Sequence, residues 1–241
     1  MAWELPEGGV LGIFAKQPQV GQVKTRLAVE VGVERAAEIA EALLFDTLDV
    51  WSQVGGLLAP GGRKVLVFAP AEAGPWFDMH VPAEFALQPQ VEGDLGQRMS
   101  SFILGEMADG AGKVVLMGAD SPTLDPTFLV SAFLLLDHKD VVLCPATDGG
   151  FVLLGVKAPF HPSILEGINW STSGVLAQTV ANIKKADHTL ALLPPWYDVD
   201  TPESWQMLRG HVLGMLAAGK EDAIGPRLAL LLELDEQHAS G

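Results

Sequence analysis

The sequence predicts an α/β fold, a mainly parallel central sheet with helices on both faces. Three observations carry this expectation. Short continuous apolar runs recur along the chain, as strands buried on both faces require. Between them lie longer segments whose apolar residues repeat at helical spacing. Glycine, proline and acidic residues punctuate the joints.

The first run, GVLGIFA at 9–15, reads as a buried strand. Residues 34–51 follow as a helix, with Ala37, Ala40, Leu43, Leu44 and Leu48 on one face. KVLVFA at 64–69 is the second strand, bounded by Gly61-Gly62 and Pro70, and 84–88 is a weaker third. A helix is expected over 95–107, with Asp94 placed to accept from its free N–H groups. KVVLM at 113–117 is a strong central strand. The next helix starts near Asp125-Pro126, an acid cap followed by proline at the first helical position. Residues 140–144 and 151–156 read as strands, 172–185 as a helix, 189–193 as extended and 202–218 as a helix. The last segment, 226–234, reads as a short apolar helix that caps the rest; a contact in a homo-oligomer is the alternative. With no repeat, low-complexity segment or linker, residues 1–241 read as one domain.

Composition excludes several classes of function. Thirty acids against fifteen bases give a net charge of −15, which opposes binding to nucleic acid or anionic membrane. No apolar run reaches the roughly 18 residues of a spanning helix. The start, Met1-Ala2-Trp3-Glu4-Leu5, lacks the basic and long apolar parts of a secretory signal. The single Cys144 cannot form an internal disulfide, and its place in VVLC marks it as a buried thiol. A cytoplasmic location is the expectation.

In parallel sheets the ligand sits at the strand ends, so polar residues there matter most. Lys16, Lys24 and Arg26 lie in the loop KQPQVGQVKTRL with no acid between them, although the chain is acidic overall. Pro18 and Gly21 let that loop turn tightly and expose backbone N–H groups, which with Thr25 and the two nearer cations suits a diphosphate. An ordinary surface loop is the alternative. Val23 before Lys24 rules out a Walker A loop, and G-x-G-x-x-G is missing. After the central strand, Asp120 in GADSP suits Mg²⁺ or Mn²⁺, or else a turn. In TDGGF, Asp148, Gly149 and Gly150 make a strong hairpin signal and also allow close approach to a ligand. In YDVDTPE, Asp198 and Asp200 are expected on opposite sides of an extended segment, one of them facing the metal. Arg98 near its helix start suits an anion. Ser171 and Thr172 read as helix caps or acceptor contacts, and Trp170 as an apolar wall or core residue.

Taken in order, FAKQPQVGQVKTRL, GDLGQRM, GADSPTL, DGGFVLLG, NWSTSGV and YDVDTPES resemble the motifs of a bacterial nucleotide-diphospho-sugar transferase family. Some of its members are assigned to arsenosugar biosynthesis as glycosyltransferases. A more distant similarity links it to 2-phospholactate guanylyltransferases and molybdenum cofactor nucleotidyltransferases. The resemblance spans residues 9–210. It implies a Rossmann-like GT-A fold, Lys24 and Arg26 at the phosphates, and Asp120 and Asp200 around a divalent metal ion. The chain departs from the glycosyltransferase pattern in having a single aspartate in GADSP, where many such enzymes carry Asp-x-Asp. Three functions follow. The first expectation is glycosyl transfer from a nucleotide sugar to a small-molecule acceptor, with Asp148 touching the acceptor as a base. The second is nucleotidyl transfer from a nucleoside triphosphate. The third is non-catalytic nucleotide binding.

Overall fold

The computed structural model describes residues 9–53, 62–220 and 224–239, with side chains described up to Glu233. The N-terminal pentapeptide and Gly61, both used in reading the sequence, lie outside the described residues.

Among the described residues, seven strands form one sheet: β1 (Gly9–Lys16), β2 (Arg63–Ala69), β3 (Phe85–Pro89), β4 (Lys113–Gly118), β5 (Val141–Pro145), β6 (Phe151–Lys157) and β7 (Leu190–Leu192). Their spatial order is β3-β2-β1-β4-β6-β5-β7. All run the same way except β6, which is antiparallel to both β4 and β5. The reversal comes from the glycine-rich tip after β5, which folds back as a hairpin and not through a crossover helix. The change of strand direction in the connections falls between β1 and β4. An open α/β sheet of this kind places its ligand at that point.

Alternate residues of the central strands supply two cores. On one face, Leu11, Ile13, Val115 and Met117 pack with α2 (Val33–Gln53), α3 (Gly74–His80) and α5 (Thr127–Leu135). On the other, Val10, Val114 and Leu116 pack with α4 (Leu95–Ala108) and α6 (Val175–Lys185). Each large side chain so buried contributes about 1.5–3 kcal/mol. Cys144 is fully buried on the first face, and burial pushes its thiol up to about 12, so it packs as an inert apolar group. Two further helices, α7 (Pro202–Ala217) and α8 (Pro226–Ala239), complete the chain, and α8 lies against α2. There the buried Asp46 accepts from the backbone N–H groups of Arg227 and Leu228 and pairs with the Arg227 guanidinium. These are N–H groups that a helix start leaves without partners.

Helix starts follow local chemistry. Asp94 caps α4, its carboxylate accepting from Gln97 N while Gln97 Oε1 accepts from Asp94 N. Thr201 and Ser204 form the same reciprocal cap on α7. Asp125 accepts from Thr127 N as expected, with Pro126 as the residue before the helix proper. Two expectations need correcting. The loop after β1 ends in a short helix, α1 (Thr25–Val31), broken from α2 at Gly32. Ser171 and Thr172 do not cap α6: Gly174 holds that position, and the Thr172 hydroxyl donates to Asn169 O.

The entries to β5 and β7 are tied by one carboxylate. Asp140 accepts from Thr189 N at 2.8 Å and from Thr189 Oγ1 at 2.6 Å, and the Lys157 ammonium lies 3.4 Å away. These donors hold its pKa down at about 2. A depressed carboxylate stabilises the fold above its unfolded pKa, and the effect is lost as pH falls through the folded value. Asp140→Ala is therefore expected to cost about 1 kcal/mol at pH 7, allowing for partial exposure. In urea unfolding, most of the difference from the parent protein should disappear between pH 4 and pH 2.

Candidate active site

Three chain segments meet at the ends of β1 and β4. The first is the loop after β1. It is tightened by a hydrogen bond from Lys16 Nζ to Gln22 O at 2.7 Å, and it turns through Gly21 at φ 74°. It ends at Lys24, whose backbone is left-handed (φ 47°, ψ 38°). That conformation costs a residue with a Cβ on the order of 1–2 kcal/mol, so something must hold it. The side chain does: Lys24 Nζ lies 2.6 Å from Asp120 Oδ1 and 2.7 Å from Asp200 Oδ1. Only 5% of the Lys24 side chain is exposed.

Asp120 comes from the second segment, directly after β4. Asp200 comes from the third, the irregular chain between β7 and α7. The third is laid onto the second by hydrogen bonds from Val199 N to Asp120 O and from Ser121 Oγ to Tyr197 O, both 2.9 Å. Val199 between the two aspartates is fully buried against α1, α2 and α7. Asp198 and Asp200 thus share the solvent side and line the same cavity, which corrects the expectation that they face apart. Side chains two residues apart in extended chain lie on one face, and that spacing was the signal available in the sequence.

The charges are unequal. Burial alone would lower the Lys24 pKa, but Asp120 and Asp200 outweigh it and raise it. Asp200 is held below the usual range despite desolvation, because Lys24 and then Arg26 stand beside it; the Arg26 contact is 3.3 Å. Asp120 is raised, by desolvation in the cleft and by repulsion from Asp200, against the pull of Lys24. Asp198 is pushed up to about 6 by burial, then by Asp200, Asp148 and Asp120. The cluster carries more carboxylate than Lys24 and Arg26 neutralise.

Two cavities flank this cluster. One, ≈ 210 Å³, is lined by Lys16, Gln22, Lys24, Asp120 and Asp200 together with apolar residues of β1 and α2. The other, ≈ 220 Å³, is lined by Arg26, Asp148, Asp198, Asp200 and Glu203 among others. Asp200 is common to both. The Asp148 carboxylate accepts from Gly150 N at 2.8 Å and closes the hairpin tip. Gly149 O accepts from Leu176 N, which ties the tip to α6.

Other sequence candidates have structural partners. Arg98 donates to Gly93 O and Gln90 Oε1 and braces the turn into α4. Trp170 is half-buried, edge-on to Phe151 and packed in the second core. Ser171 stands in a left-handed turn at φ 63°. Thr25 and Arg26 lie exposed in the first turn of α1. Gln22 and Glu203 line the cavities without having been singled out; both lie in the candidate segments KQPQVGQVKTRL and YDVDTPE, where the neighbouring cations and aspartates gave the stronger signal.

Oxygen donors converging on one point charge suit a hard divalent ion such as Mg²⁺ or Mn²⁺. Among the described residues, no group of three or more His, Cys, Asp or Glu side chains gathers as a metal cage. The chain supplies two carboxylates. That is the number Mg²⁺ commonly takes from a protein when water and substrate phosphate complete its shell.

Residues 53–172 match the model of a family described as "Uncharacterized protein conserved in bacteria (DUF2064)". The chain is also similar to a crystal structure assigned as a nucleotide-diphospho-sugar transferase from Desulfovibrio desulfuricans G20, with 29% identity, 96% of each chain covered and a TM-score of 0.84. A curated relative, 3-phospho-D-glycerate guanylyltransferase of Phenylobacterium zucineum (strain HLK1), is 34% identical over 143 residues. That match covers 58% of this chain and 64% of the relative, so the chain spans less than two thirds of the relative's length. The 4-diphosphocytidyl-2C-methyl-D-erythritol synthase of Anaerococcus prevotii DSM 20548 shares the fold, at 10% identity, 86% and 99% coverage and a TM-score of 0.57. Among the described residues no helix is long and apolar enough to cross a membrane.

The hairpin tip has no room for a side chain at Gly149. A Cβ on Gly149, at φ 94°, would stand 2.2 Å from Ser173 O. Gly149→Ala should cost about 2 kcal/mol or more and lower the melting temperature by several degrees in a thermal unfolding scan.

Proposed function

We propose that the protein is a nucleotidyltransferase that joins the nucleotidyl group of a nucleoside triphosphate to a phosphorylated small molecule and releases pyrophosphate. The observation that carries this is the convergence of Asp120 and Asp200, far apart in sequence, beside Lys24 and Arg26. Glycosyltransferases of the resembling fold commonly use an adjacent Asp-x-Asp pair instead. The guanylyltransferase named among the relatives supports the same choice.

In this reading the triphosphate enters the cavity lined by Lys16, Gln22 and Lys24, and the acceptor enters the one lined by Arg26 and Asp148. A phosphate oxygen of the acceptor forms a bond to the α-phosphorus, the bond to the bridging oxygen breaks, and pyrophosphate departs. Lys24 and Arg26 offset the charge that shifts onto the leaving oxygens. A divalent Mg²⁺ or Mn²⁺ at Asp120 and Asp200 would add further neutralisation of the phosphates. A phosphate monoester with a second pKa near 6 is already an anion at neutral pH, so Asp148 is not needed as a base. It serves the hairpin tip that borders the acceptor cavity.

Glycosyl transfer from a nucleotide sugar is the second reading, favoured by the assignment of the 29% identical structure. There a neutral hydroxyl would attack, and a carboxylate such as Asp148 would be required to take its proton.

The two readings differ in product. Supplied with Mg²⁺, the four common nucleoside triphosphates and phosphorylated hydroxy acids, 3-phosphoglycerate among them, the protein should release pyrophosphate. Asp120→Asn and Asp200→Asn should each lower kcat about a hundredfold or more while the melting curve stays cooperative. Release of nucleoside diphosphate from a sugar nucleotide, with no pyrophosphate from any triphosphate, would reject the first reading in favour of the second.

A further inference from the structure

We infer that Lys24 is a built-in counter-ion: its ammonium fills the cation position between Asp120 and Asp200 and keeps free divalent metal out until nucleotide phosphates draw it away. The first half of this rests on geometry alone, and the second on the nucleotidyltransferase reading above.

The ammonium is a compact point charge with three donors, and here two of them are spent on Asp120 Oδ1 at 2.6 Å and Asp200 Oδ1 at 2.7 Å. A metal ion using the same two oxygens would have to stand where Nζ stands. Both positive charges cannot occupy that point, so metal entry requires Lys24 to leave. Leaving is unfavourable unless the ammonium finds a new partner, because its side chain is almost entirely withdrawn from water and its left-handed backbone is held by these contacts. The Lys16 ammonium, in the lining of the same cavity, is bound to Gln22 O, and among the described residues it makes no ion pair with either aspartate. A nucleotide brings what is missing. Its phosphate oxygens offer Lys24 a charge partner and also supply ligands that two carboxylates leave wanting in a metal shell. Metal and nucleotide binding are then coupled through one lysine, each raising the affinity for the other by the same factor.

The test is Mn²⁺ binding followed by electron paramagnetic resonance, first without nucleotide. Lys24→Met should bind Mn²⁺ at least tenfold more tightly than the parent protein, and Mn²⁺ should raise the melting temperature of the variant but not of the parent. Lys16→Met, which removes one charge from the same cavity without touching the aspartates, should change Mn²⁺ affinity less than threefold. Equal Mn²⁺ affinity in the parent and Lys24→Met, or an equal gain in Lys16→Met, would overturn the inference. If Lys24→Met does not fold, the parent protein decides. The ¹⁵N resonance of the Lys24 ammonium should stay unchanged when Mg²⁺ alone is added and move when Mg²⁺ and a nucleoside triphosphate are added together. A shift with Mg²⁺ alone would count against it. Should tight Mn²⁺ binding in Lys24→Met stand while no triphosphate improves metal binding to the parent, the counter-ion survives and the nucleotidyltransferase reading falls.

Discussion

A single ammonium group organises the ligand edge of this molecule. Lys24 joins three stretches of chain at one point: the loop after the first strand, the end of the central strand and the irregular approach to α7. Each has its own scaffold. Asp120 leaves a strand buried on both faces, and Asp200 precedes a helix capped by Thr201 and Ser204. Buried Val199 pins the segment that leads into Asp200 to a third apolar cluster. The lysine is held in a left-handed conformation that its side-chain bonds repay. Remove the positive charge and two carboxylates confront each other, with Asp198 and Asp148 near enough to add to the repulsion. The site is thus set under electrostatic load before any ligand arrives.

Much of the fold could be read from the residues. The strands were legible because double-sided burial leaves continuous apolar runs, and Asp94 announced the start of α4. Helix α1 was not, since seven residues with one fully buried side chain, Leu27, give no period to detect. The late start of α6 was hidden for another reason. Ser171 and Thr172 have the composition of caps, but tertiary contacts of Gly149 with Leu176 and Ser173 place Gly174 there instead.

The site was legible in part. An unopposed cluster of bases in an acidic chain pointed to the first loop, carboxylates at strand ends pointed to Asp120 and to one of Asp198 and Asp200, and the family resemblance chose Asp200. What no local pattern shows is that the partner acids of Lys24 are supplied by its own chain; one of them lies 176 residues away. The residues assigned to a phosphate ligand and those assigned to a metal therefore first satisfy one another. Arg98 and Trp170 illustrate the converse. Their types suit a ligand, yet hydrogen bonds to Gly93 and Gln90 and packing against Phe151 employ them in the scaffold.

The backward-running β6 has an architectural effect that extends past the sheet. In an all-parallel arrangement, the top of one strand is linked to the bottom of the next by a return helix, so each strand lends the ligand edge only one loop end. Reversing one strand brings a complete two-stranded finger to the rim, with its tip at Asp148 and Gly149 and both stems hydrogen-bonded into the sheet. That fingertip is fastened to the first turn of α6 by Leu176 N on Gly149 O and by the close approach of Gly149 to Ser173, so rim and helix move as one piece. The wall that Thr147 and Asp148 give the second cavity is therefore positioned from α6, on the far side of the sheet from the helices that hold the lysine and its two aspartates.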